Sequence, residues 1–416
     1  MIEILKKNLE ERIGRPIKTR GDCELVSNII LETLDIDISY STLKRLYYLT
    51  THTKPNRKTL NTLSQFIGFK NYAHFSQNFE YTDKIDLSQI TYKAISVGDE
   101  QAILELIIKT KNNNENFIGF IVLLIRELLH NRSYRLLNDI FKLKALNFHS
   151  FSYSEALYLG NSIGLLLRKQ PEIDTILLNN SNFLECVYLT FVDYSSLNGY
   201  YGKWTETIAN CNHGKEIDTF TFALLEFKNF LNHNPVKEVE DALLYSERFH
   251  PILSSRLLSL KLLTTDSTNT SEVLTTYFNI HSKKINKIDY SYELFTTAIL
   301  TKNIYLMKYL IEKINQQTSI KSEYHKYHLN SFYLMCSFYY KLIKKSTEEK
   351  KINTFYDVNN CLYNYEEFIT VLRLIYVFAN TKPASKKELL KKQYIQLRDQ
   401  LNYPYFSDNF LLDYFN

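Results

Sequence analysis

Glycine and proline are scarce in this chain, which has 10 Gly and 7 Pro in 416 residues. These two residue types most often end helices and shape tight turns. No stretch after residue 87 alternates apolar and polar residues in the way that predicts a strand or a hairpin. The scarcity of turn residues therefore favours long helical segments joined by a few short loops.

Cysteines and long apolar runs are also few. The five Cys residues are odd in number and none is in CxxC spacing, which argues against a disulfide framework and predicts buried free thiols in a reducing cytoplasm. The longest apolar run, residues 117–125, falls well short of the ~20 residues that a membrane-spanning helix needs. Charged residues throughout positions 1–11 argue against a signal peptide. We expect a cytoplasmic protein without a membrane segment.

Sequence motifs of the common enzyme classes are absent: there is no Walker A motif, no GxGxxG and no GxSxG. His325 and His328 could share one helix face, but they have no further ligand at metal spacing, so we interpret them as a packed or surface pair. Trp204 is interpreted as a packing anchor. We therefore expect no enzymatic activity, no cofactor and no metal.

Acidic residues are missing from residues 38–79, which is the most informative absence in the chain. The stretch contains six cations and no Asp or Glu: Lys44, Arg45, Lys54, Arg57, Lys58 and Lys70. The formal net charge is +5 for the whole chain, and more than half of this excess lies in residues 1–80. A local positive excess of this kind suits contact with nucleic acid.

The helix pattern of this region is clear. Apolar residues predict a first helix over residues 1–13, ended by Gly14, and a second over residues 21–34. After a short turn, Ser39 is a good N-cap for a third helix. Its apolar face is predicted to carry Leu43, Leu46 and Tyr47. Its opposite face is predicted to carry Ser41, Lys44, Arg45 and Tyr48.

A fourth helix is predicted to open at residues 55–56 and to end at Gly68. Asn71 then caps a further helix. Two short helices joined by a tight turn, with the second facing outward, form a helix-turn-helix.

The order Ser39-x-x-Thr42-Leu43-x-Arg45-Leu46, followed by Pro55, Thr59-Leu60-x-x-Leu63 and Gly68, resembles the Xre/lambda-repressor-type helix-turn-helix family. It is also similar to an N-terminal module of many uncharacterised bacterial proteins. The resemblance covers residues 1–80, with Asp37 at the turn position that the family usually fills with Gly. It implies a DNA-binding domain.

Helix patterns continue through the rest of the chain. A polar break at residues 80–86 is interpreted as a domain boundary or linker. The predicted helices that follow are residues 90–97, 101–109, 117–129, 134–143, 153–168, 173–178, 183–196, 204–210, 220–231, 236–248, 253–263, 290–300, 305–314, 322–345, 365–379 and 386–401. Pairs of helices at this spacing predict an α-solenoid of tetratricopeptide-like units, with an irregular helical bundle as the alternative. The aromatic tail, residues 403–416, is expected to pack on preceding helices.

The expected fold is all-α: a helix-turn-helix domain at residues 1–80 and a helical-repeat domain at residues 87–416. Its layout is similar to peptide-pheromone receptors of the Rgg and PlcR type. We expect a homodimeric transcriptional regulator that binds double-stranded DNA, with a peptide or protein in the groove of the repeats. The alternative is an adaptor whose repeats bind a protein partner. The expected DNA contacts are Ser39, Ser41, Thr42, Lys44, Arg45, Tyr48, Lys54, Asn56, Arg57 and Lys58.

Overall fold

The computed structural model describes residues 1–50, 55–113, 117–169, 173–265, 269–281, 288–314 and 323–416, with only the backbone at 77–86, 88, 112–113, 289–290 and 323–325. Throughout these ranges the regular structure is helical and no strand is present. The prediction of an all-α fold is confirmed.

The chain forms two compact units, Met1–Leu106 and Ile107–Asn416. The predicted linker at residues 80–86 is not a break in secondary structure, because one helix runs from Tyr72 to Val97. The prediction of a break was wrong, because a polar run is compatible with a helix as well as with a loop. The functional domain bounds 1–80 and 87–416 stay predictions.

The smaller unit is built from helices that share one apolar core. They are α1 (Ile2–Ile13), α2 (Arg20–Leu34), α3 (Tyr40–Leu46), α4 (Arg57–Phe66) and α5 (Tyr72–Val97), and α6 (Glu100–Asn113) crosses the division between the units. Gly14 ends α1 at a φ of 78°, in the left-handed region where glycine has no steric cost. The core contains Leu5, Leu9, Cys23, Val26, Ile30, Leu43, Leu46, Leu63 and Phe75.

The larger unit continues the series of helices. They are α7 (Phe117–His130), α8 (Tyr134–Phe141), α9 (Tyr153–Lys169), α10 (Thr175–Leu178), α11 (Ser181–Phe183), α12 (Tyr200–Ala209), α13 (Lys215–Leu231), α14 (Asp241–Leu244), α15 (Pro251–Thr264), α16 (Thr270–His281), α17 (Ile288–Leu300), α18 (Ile304–Ile314), α19 (Glu323–Leu342), α20 (Ser346–Asn353), α21 (Glu366–Asn380), α22 (Ala384–Leu401) and α23 (Asp408–Asp413).

Alternate helices of the larger unit pack in a row: α13 on α15, α15 on α17, α17 on α19 and α19 on α21. Intervening helices pack beside this row, as α18 does on α17 and α19, and α22 on α21. Stacked helix pairs produce such an order of neighbours. The tetratricopeptide-like repeat family stays a prediction.

The predicted helix over residues 183–196 is broken. After α11, one turn of π-helix ends at Tyr188, and the chain leaves the helix until a short 3₁₀ turn at Tyr194–Ser196. Tertiary hydrogen bonds replace helical ones here: the carbonyl of Val192 accepts from the Asn364 side chain at 2.7 Å, and that of Tyr194 accepts from the Tyr403 hydroxyl at 2.6 Å.

Glycines in α9 let the chain come close at this break. A Cβ at Gly160 would lie 1.7 Å from the Thr190 hydroxyl oxygen, and one at Gly164 would lie 2.1 Å from the Phe191 ring. Glycine is therefore required at both positions by packing, not by backbone conformation.

Two further predictions are corrected. Of residues 236–248 only α14 is helical, since the backbone amide of Lys237 donates to the Glu226 carboxylate at 2.8 Å and Val239 packs into the core. The helix predicted over residues 204–210 starts earlier, because α12 begins at Tyr200. Gly202 lies inside this helix, where a Cβ would lie 1.8 Å from the Leu197 carbonyl oxygen.

The aromatic tail packs on preceding helices, as predicted. Tyr403, Phe406 and Tyr414 are buried, and the Tyr414 hydroxyl donates to the carbonyl of Ile299 at 2.6 Å. Trp204 is buried too, which confirms its packing role. The thiols of Cys23, Cys186 and Cys336 are buried, but Cys211 is exposed and Cys361 partly so, which corrects the expectation of uniformly buried thiols. Within the described residues, no helix combines the length and apolar content needed to cross a bilayer.

A candidate nucleic-acid interface on α3 and α4

Helices α2 and α3 are consecutive, contact each other and are joined by a turn that side chains fix. Thr19 and Asp22 cap the start of α2 reciprocally, and Asp35 ends it in the left-handed region at a φ of 55°. The Ser27 hydroxyl donates to the carbonyl of Ile38 at 2.5 Å and so ties the far side of the turn to α2. The left-handed residue of the turn is Asp35 and not Asp37, the position that the resemblance assigned to Gly.

Helix α3 separates its apolar and polar faces as predicted up to Leu46. The helix ends there, so the prediction that Tyr47 and Tyr48 continue its two faces is wrong, and Tyr48 has a left-handed φ of 58°. Leu43 and Leu46 are 0% and 2% exposed in the core. Arg45 and Tyr48 are exposed, and Lys44 and Ser41 are half-buried. A shallow depression of about 250 Å³ is lined by Ser41, Lys44, Arg45 and Thr50. None of these described lining residues has a carboxylate, and each presents a cation or a hydroxyl to an anion that enters the depression.

The hydroxyls at the start of α3 serve its cap. The Ser39 oxygen accepts from the backbone amide of Ser41 at 3.3 Å and lies 2.6 Å from the Ser41 hydroxyl. Thr42 is half-buried, and its backbone amide donates to the carbonyl of Ser39 at 2.9 Å. Ser39 thus holds the helix start, while Ser41 faces the depression.

The end of α3 is anchored to α1 by two tyrosines. The Tyr47 hydroxyl donates to the carbonyl of Lys6 at 3.1 Å, and burial raises the pKa of this phenol. Tyr48 has a φ of 58°, and the Lys6 ammonium lies 4.0 Å from its ring centroid. This cation–π contact fixes the ring while leaving 60% of Tyr48 exposed.

Lys6 is the site residue that the sequence reasoning missed. Its ammonium lies 2.7 Å from the Glu3 carboxylate and its side chain is only 8% exposed. A signal was available, because residue 6 shares a helix face with Ile2 and Leu9 in α1. A lysine on an apolar face often covers an aromatic neighbour with its stem.

Helix α4 starts with a second cationic turn. The Asn56 oxygen accepts from the backbone amide of Thr59 at 2.8 Å, so this amide group acts as the N-cap and only its NH₂ remains for a phosphate. Arg57 and Lys58 are exposed in the first turn, which has no acidic residue. Lys54, also expected at this site, lies outside the described residues. Helices α3 and α4 share one core cluster through Leu46 and Leu60.

The same surface has negative charge nearby, since Asp35 and Asp37 in the α2–α3 turn are both exposed. These carboxylates lie next to the start of α3 in sequence, whereas Lys44 and Arg45 occupy its last turn. A phosphate would therefore be favoured at the carboxyl-terminal part of α3 and disfavoured at the turn.

The described residues of the larger unit do not meet the requirements of a metal site. No group of three or more His, Cys, Asp or Glu side chains there could hold a metal ion. His328 stacks on Tyr292 with ring centroids 4.4 Å apart, in agreement with a packed imidazole. The side chain of His325 lies outside the described residues.

Comparisons of the chain with protein-family models, with curated proteins and with solved structures found no match.

Proposed function

We propose that the chain is a DNA-binding transcriptional regulator that contacts double-stranded DNA with α3 and the start of α4. One observation carries the proposal: α3 buries Leu43 and Leu46 and directs Arg45 to solvent, beside a depression whose described lining residues have no carboxylate. Arg and Lys on an outward helix are the side chains that read guanine and contact phosphate in a major groove.

Each candidate residue has a role in this proposal. Arg45 and Lys44 reach base edges or phosphate, and Ser41, Thr42 and Tyr48 add hydrogen bonds and van der Waals contacts. Arg57 and Lys58 bind phosphates beside the start of α4, where the helix dipole also favours an anion. Ser39 and Asn56 act chiefly through the helix starts that they cap.

We further propose a homodimer on a two-fold DNA site. Helix α3 has 7 residues, so one copy covers few base pairs and gives limited affinity. Two copies separated by about 34 Å would enter successive major grooves on one side of a duplex. In this proposal the helical array of the larger unit supplies dimerisation or senses a peptide or protein.

The test selects duplexes from a random-sequence pool with the full chain and measures retention by gel shift over a salt series. Lys44→Ala with Arg45→Ala is expected to abolish retention, and Arg45→Ala alone to cost about 1–3 kcal/mol of binding free energy for the selected sequence. Lys7→Ala with Lys18→Ala, which removes two exposed cations of the same unit, is the matched control and should retain the duplex.

Two results would contradict the proposal. One is a wild-type chain that retains no duplex at low salt. The other is equal retention by the α3 variant and its control. Either result would favour the adaptor alternative, in which the helical array binds a protein partner.

A further inference from the structure

Two turns of the larger unit are rich in lysine. Residues 341–345 and 382–387 hold six lysines and no acidic residue. We call this set the lysine surface: Lys341, Lys344, Lys345, Lys382, Lys386 and Lys387.

Side-chain contacts place the two turns next to each other. The Lys341 ammonium donates to the side-chain oxygen of Asn380 at 2.7 Å, which joins the last turn of α19 to the last residue of α21. The Glu349 carboxylate in α20 accepts from the Tyr376 hydroxyl at 2.7 Å and from the Asn380 side chain at 3.2 Å. The loops that follow α19 and α21 therefore lie at the same end of the helix row.

The charge at this end is mostly unopposed. Lys344, Lys345, Lys382 and Lys386 are exposed, and within the described part of the chain none of the four forms an ion pair. The acidic neighbours are Glu348 and Glu388, both exposed, and Glu349, which is engaged as described above. Cations outnumber carboxylates at the two turns, so the local potential is positive.

Helix stability does not explain the arrangement. Lys386 and Lys387 lie in the first turn of α22, which has no acidic residue and no side-chain cap. A cation near a helix amino terminus is unfavourable because it meets the positive end of the helix dipole. Lys387 has a packing role, since its ammonium lies 5.1 Å from the Phe378 ring centroid. Among the described aromatic residues, none lies close to the Lys386 ammonium in the same way.

The surface fits a polyanion better than a bilayer. Membrane-surface helices combine cations with exposed Trp, Phe or Leu, and no large apolar side chain within the two turns is exposed. The nearest one in sequence is Leu389, at 56% exposure. A group of exposed ammonium ions is sufficient to bind the regularly spaced phosphates of a nucleic acid, because each contact releases counterions condensed on the phosphates.

We propose that the lysine surface binds the sugar–phosphate backbone of double-stranded DNA, as a second contact in addition to α3. This inference rests on the proposed DNA-binding function. The lysines contact phosphate without reading sequence, so they contribute affinity and salt dependence and leave the preferred sequence to α3.

The experiment measures affinity of the full chain for the selected duplex and for an unrelated duplex over a salt series. The test variant is Lys344→Gln, Lys345→Gln, Lys382→Gln and Lys386→Gln together. The matched control is Lys144→Gln, Lys203→Gln, Lys237→Gln and Lys308→Gln, which removes four exposed lysines from other helices and loops of the same unit. Anionic phosphatidylserine vesicles are the second probe.

The test variant is expected to lower the slope of log affinity against log salt by about 3 to 4 on both duplexes, since each lost phosphate contact removes about 0.9. The control should keep the wild-type slope, and neither variant should change the preferred sequence. If the test variant keeps the wild-type slope while Lys44→Ala with Arg45→Ala abolishes retention, the inference is wrong and the proposed function stands.

Two other outcomes overturn the inference together with the proposed function. In one, the wild-type chain retains neither duplex at low salt. In the other, it ignores DNA but binds the vesicles, and the test variant alone loses that binding, which would assign the lysine surface to an anionic membrane.

Discussion

Arg45 on α3 and Arg256 on α15 are arginines in opposite environments, the first exposed to solvent and the second buried. Arg45 is exposed on a helix whose apolar residues face the core. Arg256 is 4% exposed and points into the larger unit, where its Nη2 atom lies 2.6 Å from the Glu293 carboxylate. An exposed arginine keeps its hydration until a ligand replaces it, whereas a buried one must have its partner inside the fold.

Arg256 also contacts two aromatic side chains, Tyr194 and Phe220. Its Nε atom donates to the Tyr194 hydroxyl at 3.0 Å, and that hydroxyl donates to Glu293 at 2.6 Å. The guanidinium carbon lies 4.5 Å from the Phe220 ring centroid. Charge count alone therefore does not identify a binding surface, because some charges hold the fold together.

The largest effect on stability is expected when the buried Arg256–Glu293 ion pair is broken. Arg256→Ala leaves the Glu293 carboxylate buried without its cation, and the free energy of unfolding of the larger unit should fall by about 3–5 kcal/mol. Urea unfolding followed by tyrosine fluorescence and circular dichroism measures the loss. The double variant Arg256→Met with Glu293→Leu removes both charges and should recover much of it. A single variant as stable as wild type would show that the pair does not hold the fold.

A second effect concerns Asp193, which lies at the break between α11 and α12 and is 0% exposed. Burial raises the pKa of this carboxyl to about 6, although the Tyr200 hydroxyl at 2.7 Å and the Arg168 guanidinium at 3.4 Å oppose the rise. Glu367 on α21, which is hydrogen-bonded to the same Arg168, raises the pKa of Asp193 further because its charge is also negative. The folded state therefore binds this proton more tightly than the unfolded state, in which Asp has a pKa of about 3.9.

The stability from this proton is fully present below the unfolded pKa and is lost as the pH rises through about 6. Comparison with Asp193→Asn isolates it from other carboxyls. Between pH 7 and pH 4, the stability of wild type relative to Asp193→Asn should rise by roughly 2–3 kcal/mol. Urea unfolding over a pH series checks this. A difference that stays constant with pH would mean that Asp193 is ionised at its ordinary pKa.

The exposed charges of α3 could be predicted from the sequence, whereas the buried charges of the larger unit could not. The outward face of α3 followed from residues within one helix, since Leu43 and Leu46 fix which side is buried. The N-cap roles of Ser39 and Asn71 followed from local chemistry and are confirmed. The start of α4 near Asn56 was predicted too, but the capping role of Asn56 was not. The break around Asp193 could not be predicted, because it depends on Asn364 and Tyr403, far along the chain. For the same reason no periodicity indicated that Arg256 and Glu293 would meet.

The smallest effect on stability is expected from a substitution of Arg45 in α3. Arg45 is exposed, so Arg45→Ala removes neither a core contact nor the partner of a buried charge. We expect the free energy of unfolding of the smaller unit to change by less than about 0.5 kcal/mol. Urea unfolding monitored by amide hydrogen exchange within residues 1–50 measures it. If Arg45→Ala destabilised this unit as Arg256→Ala is expected to destabilise the larger one, Arg45 would be a structural arginine. A loss of DNA retention in that variant would then report unfolding and give no support to a binding role for α3.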